Sequence, residues 1–209
     1  MKHRSLLIAA ALVGFALSSL SAQAPGLRGF GVIGVLHSGT AQDLPAIKGT
    51  RFESKGLGAS FGFYPLDKFG MFLTFDASAA LSGTISEDSF SAGGFNVTLI
   101  AGPCGFIPMG SGQLLLGGGA SAQMRSIDSK DQAVDGMDSL LYSSGTIGAG
   151  GTLGFLFPAG KVRVFVGADF ALGLFPAIKD ENEEYTSLGS YLLYGTRDFS
   201  FVPAIRVLF

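Results

Sequence analysis

The chain has 209 residues, 47% of them hydrophobic and only 14% charged, with 32 glycines. A chain that stays disordered is polar and highly charged, and a collagen-like one needs glycine at every third position; this chain is neither. Its net charge of −2 offers no basic face for nucleic acid.

Residues 1–24 form the first element. Lys2 and Arg4 precede an apolar stretch from Leu6 to Leu20, and Ala22-Gln23-Ala24 places small residues where a signal peptidase reads. The stretch is shorter than the ~20 residues of a membrane-spanning helix, which is the competing reading. A cleaved export signal is therefore expected, leaving residues 25–209 as one domain. Removing Lys2 and Arg4 takes the net charge from −2 to −4. No cysteine lies near the cleavage point, so no lipid-modified start is expected. Cys104 is the only cysteine, so no intramolecular disulfide staples the fold.

Beyond residue 24 apolar residues recur with period two, the mark of strands with two unlike faces. Eight segments are predicted, at 27–37, 54–65, 69–81, 93–104, 113–126, 144–157, 161–175 and 198–209. Most reach the ~9–11 residues with which a tilted strand crosses a bilayer. The first is the least regular, because Gly29, Gly31 and Gly34 blur its faces. The third sets Phe69, Met71, Leu73, Phe75 and Ala77 against Gly70, Phe72, Thr74, Asp76 and Ser78. The seventh sets Val162, Val164, Val166, Ala168, Phe170, Leu172 and Leu174 against Arg163, Phe165, Gly167, Asp169, Ala171 and Gly173.

Connections alternate in length. Tight turns at Pro65-Leu66-Asp67-Lys68, Pro108–Gly112 and Pro158-Ala159-Gly160 supply the necessary dihedrals. Long polar loops fall near 38–53, 82–92, 127–143 and 176–197. Short turns at one end and long loops at the other describe a transmembrane barrel in the outer-membrane orientation.

Alternation alone does not say which face points outward, since a soluble eight-stranded barrel is apolar inside. The composition of the polar face decides. It holds glycine, serine, threonine and alanine rather than the lysines and glutamates that a wetted exterior carries. Small residues suit the narrow interior of an eight-stranded cylinder, and the valine–leucine–phenylalanine face then meets lipid. The expectation is an all-β, eight-stranded antiparallel transmembrane barrel.

With its leader, eight strands, loop asymmetry and terminal Phe209, the chain resembles the small eight-stranded bacterial outer-membrane proteins of the OmpX-like and OmpW-like types. The most specific piece of the resemblance is the ending Phe201-Val202-Pro203-Ala204-Ile205-Arg206-Val207-Leu208-Phe209. In such proteins an alternating last strand with a terminal aromatic is the signal for the barrel assembly machinery, so the resemblance assigns that role to Phe201, Ile205, Val207 and Phe209. It also implies residence in the outer membrane as a monomer in contact with its lipid. The chain lacks tryptophan, so phenylalanine and tyrosine must form the interfacial girdles. Phe61, Phe63, Phe69, Phe155, Phe157 and Phe209 are the candidates for the periplasmic ring. No OmpA-type peptidoglycan-binding domain is expected.

Asp76, Arg163, Asp169 and Arg206 are the charged residues singled out inside predicted strands. On the lipid face an arginine near mid-depth costs about 2–4 kcal/mol, so they are expected in the lumen, as a structural plug or as a constriction. Two opposite-charge pairs would leave that lumen neutral. Inward glycines on three strands suggest either a groove for a narrow apolar molecule or a wall flattened until the gap closes. Pro203 cannot donate to a ladder, which predicts a bulge or a weak lateral seam. His37 is the single histidine after the leader, and Ser38 beside it points to the opposite face, so no nucleophilic site is expected. The acidic loop residues Glu87, Asp88, Asp128, Asp131, Asp135, Asp138, Asp180, Glu181, Glu183 and Glu184 lack the spacing of a calcium loop. No metal or cofactor is expected. Three functions stay open: a narrow pore for small, apolar solutes; a non-conducting surface protein whose loops bind a host, phage or matrix partner; and, least favoured, a lipid A-modifying enzyme.

Overall fold

The computed structural model describes residues 26–40, 51–65, 69–85, 88–91, 93–128, 141–178 and 198–209. The expected leader, and the segments 41–50, 129–140 and 179–197 of the long loops, lie outside the described residues.

Strands account for nearly all of what is described: β1 (Gly26–Thr40), β2 (Arg51–Pro65), β3 (Phe69–Ile85), β4 (Asp88–Ser91), β5 (Gly93–Met109), β6 (Gly112–Asp128), β7 (Leu141–Ala159), β8 (Val162–Ile178) and β9 (Asp198–Leu208). Eight of them pair antiparallel with both neighbours, and the β1–β2, β2–β3 and β1–β9 pairings close the sheet on itself. The short β4 pairs only with the outer end of β3. Its register is offset by one from that of β5 on β3, and Gly94, with φ of 103°, sits where that offset is absorbed.

Most strands exceed their predicted lengths, with 15 to 19 residues in β1–β3 and β5–β8. The additions lie chiefly at the loop ends, as in Ser38-Gly39-Thr40 and Arg51-Phe52-Glu53. A strand that has left lipid for water no longer needs an apolar face, so its ladder continues where its alternation stops. At the other end two of the tight turns shrink to two residues, Gly110-Ser111 and Gly160-Lys161, flanked by the pairs Met109–Gly112 and Ala159–Val162. Gly110 and Gly160 have φ of +61° and +66°, the left-handed start that two-residue hairpins use to match strand twist.

The registers fix the size of the cylinder. Passing from partner to partner, Arg28, Phe63, Leu73, Ala101, Ala120, Ala149, Leu172 and Phe199 lead back to β1 at Ser38, 10 residues from the start. Eight strands with that stagger tilt by about 41° and enclose a cylinder of roughly 8 Å radius. Its interior is only wide enough for side chains.

The faces follow from this. Phe30 and Val32 are 65% and 68% exposed on the outside, and Leu57, Met71, Leu116, Met124, Ile147, Val166, Phe201, Ile205 and Val207 point the same way. Between Arg28 at the turn end and Lys55 at the loop end, no outward-facing described residue is charged. Phenylalanines gather at the turn end of this band, where Phe155 and Phe157 lie 4.7 Å apart and Phe209 is exposed. The buried residues are the inward set, including Tyr64, Phe72, Ile100, Leu115, Leu156, Phe165, Val202 and Leu208. The core of this protein is its lumen.

Candidate functional site

Strict alternation aims Arg206 of β9, Asp169 of β8, Asp76 of β3, and Ser60 and Tyr64 of β2 at the barrel axis. All five are buried, and Arg206 joins them. Its Nη2 meets Asp76 Oδ1 at 3.1 Å and also contacts Asp169 Oδ2. Nε donates to Ser60 Oγ and Nη1 to the Tyr64 hydroxyl, each at 2.6 Å. Ser60 Oγ in turn donates to Asp76 Oδ1. The guanidinium carbon lies 4.9 Å from the centre of the Phe165 ring, which stacks on Tyr64 at 5.7 Å. One arginine is thus shared by two carboxylates and backed by an aromatic pair.

Arg163 does not join this cluster. It lies near the short turns, where Nη1 donates to Gln113 Oε1 at 2.6 Å. The expected two opposite-charge pairs are replaced by one cation between two anions. The physical reason is the stagger: it carries Arg163, six residues before Asp169 on β8, below the level of Arg206. A second cluster sits toward the loop end and was not singled out from sequence. Arg125 Nη1 and Asp198 Oδ1 pair at 3.3 Å across the lumen between β6 and β9. Arg125 Nη2 donates to Gln123 Oε1 at 3.1 Å, and Ser200 Oγ donates to the same oxygen. The parity of Arg125 with Gly117, Gly119 and Ser121 was the signal that would have found it. The described inward-facing charges are then Arg125, Arg163, Arg206, Asp76, Asp169 and Asp198, which sum to zero.

Below the Arg206 cluster, Tyr64, Phe72, Leu115, Leu156, Phe165 and Leu208 form an apolar floor at the turn end. The inward glycines are the hollows that receive these groups. A Cβ on Gly117 would meet the Phe72 ring at 2.8 Å, and one on Gly154 the Phe165 ring at 2.3 Å. A Cβ on Gly62 would meet the Tyr64 ring at 2.8 Å, and one on Gly150 the Ile100 side chain at 3.0 Å. Cys104 is buried near the same end.

Pro203 faces outward. Its pairing with Ala168 of β8 is in register. On β1 the ladder runs from Ile33–Ala204 to Leu36–Phe201 and skips Gly34 and Val35. The stagger is the same on both sides of the gap, so Pro203 interrupts bonding without a bulge. Pro103 of β5 does the same between Ala101–Ala120 and Cys104–Gly117. Behind the Pro203 gap stand Ile33, Val35, Val202 and Ala204, all buried.

Phe201, Ile205, Val207 and Phe209 are exposed along one face of the last strand. Phe209 N donates to Arg28 O at 2.9 Å, and Phe209 O accepts from Arg28 N at 3.1 Å, continuing the β1–β9 pairing. The backbone of His37 pairs with Ser54 and Ser200. Asp88 and Asp128 lie at strand ends, while Glu87, Asp131, Asp135, Asp138, Asp180, Glu181, Glu183 and Glu184 lie outside the described residues. Among the described residues no group of three or more His, Cys, Asp or Glu side chains is placed to hold a metal ion.

A closed eight-stranded antiparallel cylinder with an apolar exterior and a polar, filled axis is a small transmembrane β-barrel of the bacterial outer membrane. The chain is similar to Neisserial surface protein A (NspA), with a TM-score of 0.46 and 14% identity over 87% of this chain and 97% of that one. It is also similar to Ail, the attachment invasion locus protein of Yersinia pestis, solved with the heparin analogue sucrose octasulfate: TM-score 0.42, 13% identity, 88% and 99% coverage. The outer membrane protease OmpT of Escherichia coli gives a TM-score of 0.41 at 7% identity, with 88% and 95% coverage. No protein-family model matches the chain, and no curated protein does.

Proposed function

We propose that the chain is a non-conducting outer-membrane barrel that acts through a partner at the cell surface, exported by the leader at residues 1–24 and inserted by the barrel assembly machinery. The observation that supports this reading is the filling of the lumen. Tyr64, Leu115, Phe165, Arg206 and Leu208 come from four different strands, and each is 0% exposed. A pore for small solutes needs a continuous void, and the glycine hollows that would supply one are occupied by Phe72, Phe165, Tyr64 and Ile100. This reading assigns the partner contacts to the long loop segments. Segment 129–140 carries three acidic residues against one basic, and 179–197 carries four against two. A cationic partner surface is the complement that such loops would steer.

Planar-bilayer recordings of the folded barrel test the closed lumen. Silence at high protein-to-lipid ratio is expected; reproducible single-channel steps would return the pore reading to first place. Separately, whole cells displaying the barrel should bind polycationic ligands less after deletion of 179–197. Undiminished binding would remove the loop part of the proposal.

A further inference from the structure

At the periplasmic end the hairpins β5–β6 and β7–β8 stand side by side, joined along β6 and β7. A cavity of about 280 Å³ opens between their turns, lined by Pro108, Ser111, Gln113, Leu156, Pro158 and Arg163 among others. Its walls are stiff. Each hairpin ends in a two-residue turn with a left-handed glycine, and a proline on each hairpin holds the inner surface. Leu156 also lines it and belongs to the apolar floor of the lumen.

The chemistry of the lining is one-sided. Arg163 is the charged group, and Gln113 Oε1 takes one of its five N–H donors at 2.6 Å. That bond ties the guanidinium to Gln113, and both side chains line the cavity. None of the residues lining the cavity is acidic. The contrast with the rest of the lumen is sharp: Arg206 meets Asp76 and Asp169, and Arg125 meets Asp198. Ser111 adds a hydroxyl, and exposed Lys161 in the neighbouring turn adds a second positive charge. A pre-positioned guanidinium presents parallel N–H groups that match the two oxygens of a carboxylate or phosphate. The volume lies at the small end of ligand pockets, which run from about 300 Å³ upward. It accommodates an end group rather than a whole large molecule.

We propose that this cavity binds an oxyanion, a carboxylate or phosphate group, borne by a periplasmic molecule. Arg163 is its charged contact, and Gln113 and Ser111 are its neutral ones. The site is independent of whether the barrel conducts.

The test uses the whole chain folded into non-ionic micelles, which contain no competing phosphate. Amide resonances are followed while inorganic phosphate, acetate, or a short peptide with a free or an amidated carboxyl end is added. Saturable shifts confined to Ser111, Gln113 and the two turns are expected. Affinity should fall at least tenfold in Arg163→Gln and less in Lys161→Gln. A response to the free peptide that vanishes on amidation assigns the site to carboxylates; a response to phosphate alone assigns it to phosphates. The absence of saturable shifts with every probe, or equal affinity in Arg163→Gln, overturns the proposal. The wild-type titration decides by itself should that variant fail to fold.

Discussion

Replacing Arg206 with leucine strands two carboxylates. Asp76 and Asp169 both contact the same guanidinium nitrogen, and Ser60 and Tyr64 each accept a bond from another. Removing one partner of a buried ion pair costs about 3–5 kcal/mol, mostly because the other charge stays buried and unpaired. Here two anions are left against one another, so the upper end of that range is the expectation. At 1.36 kcal/mol per factor of ten, a loss of about 5 kcal/mol lowers the folding equilibrium constant by roughly three and a half orders of magnitude. The same reasoning predicts rescue. Buried ionic groups replaced together by apolar ones are often neutral or stabilising, so Arg206→Leu combined with Asp76→Leu and Asp169→Leu should recover most of the loss. Urea titration of the barrel in lipid vesicles, read by far-UV circular dichroism and by gel mobility, measures both. A cost below about 1 kcal/mol for Arg206→Leu, or no recovery in the triple variant, would show that the cluster does not hold the lumen as its geometry indicates. The single variant should also stay silent in planar bilayers, because the floor of Tyr64, Leu115, Leu156, Phe165 and Leu208 is untouched.

Other substitutions probe the remaining features. Val32→Arg places a charge on the most exposed part of the lipid face and should cost about 2–4 kcal/mol in vesicle unfolding; a neutral result would contradict the inverted arrangement. Gly154→Ala pushes a methyl group into the Phe165 ring and should cost about 1–3 kcal/mol, whereas an open groove would accept it freely. Pro203→Ala returns a donor to the β1 ladder beside Gly34 and should gain about 0.5–1.5 kcal/mol. Cells carrying it should take up apolar solutes no differently, since buried side chains rather than a void lie behind the gap, and a drop in uptake would revive the lateral seam. Deleting Phe209 removes two backbone bonds to Arg28 and should lower stability by about 1–3 kcal/mol. If the terminal aromatic is an assembly signal, the amount reaching the outer membrane should fall far more than refolding in vitro does, and equal losses would argue against it.

The strands and their orientation were legible because the outer face must be apolar along its whole membrane depth, and β8 and β9 show this in every alternate residue. The strand ends were not, because Ser38, Gly39 and Thr40 have left the environment that imposes a pattern. The contents of the lumen were legible as a list, while the contacts within it were not. Arg206 and Asp76 are 130 residues apart and meet only because of the stagger around the cylinder, which no local pattern encodes. Arg163 illustrates the same limit: its parity is right, yet its height leaves it with Gln113. Arg125 and Asp198 were missed because each stands at the boundary of a predicted strand, outside the interiors that were searched for charges, although the alternation there is intact. Pro203 was correctly marked as a residue that cannot donate, but whether the ladder bulges or merely skips depends on both neighbours.

The hydrogen bonds between Arg28 and Phe209 span almost the entire chain, and they bear on how the molecule comes to exist. Every other stave is joined to a neighbour through a local connection, but this seam has none. Without β9 and Phe209, β1 and β8 each present a bare row of amides and carbonyls, a standing invitation to aggregate. Contacts of such sequence separation are also slow to form. Closure of the cylinder thus depends on β9, the one strand that covers both of those edges.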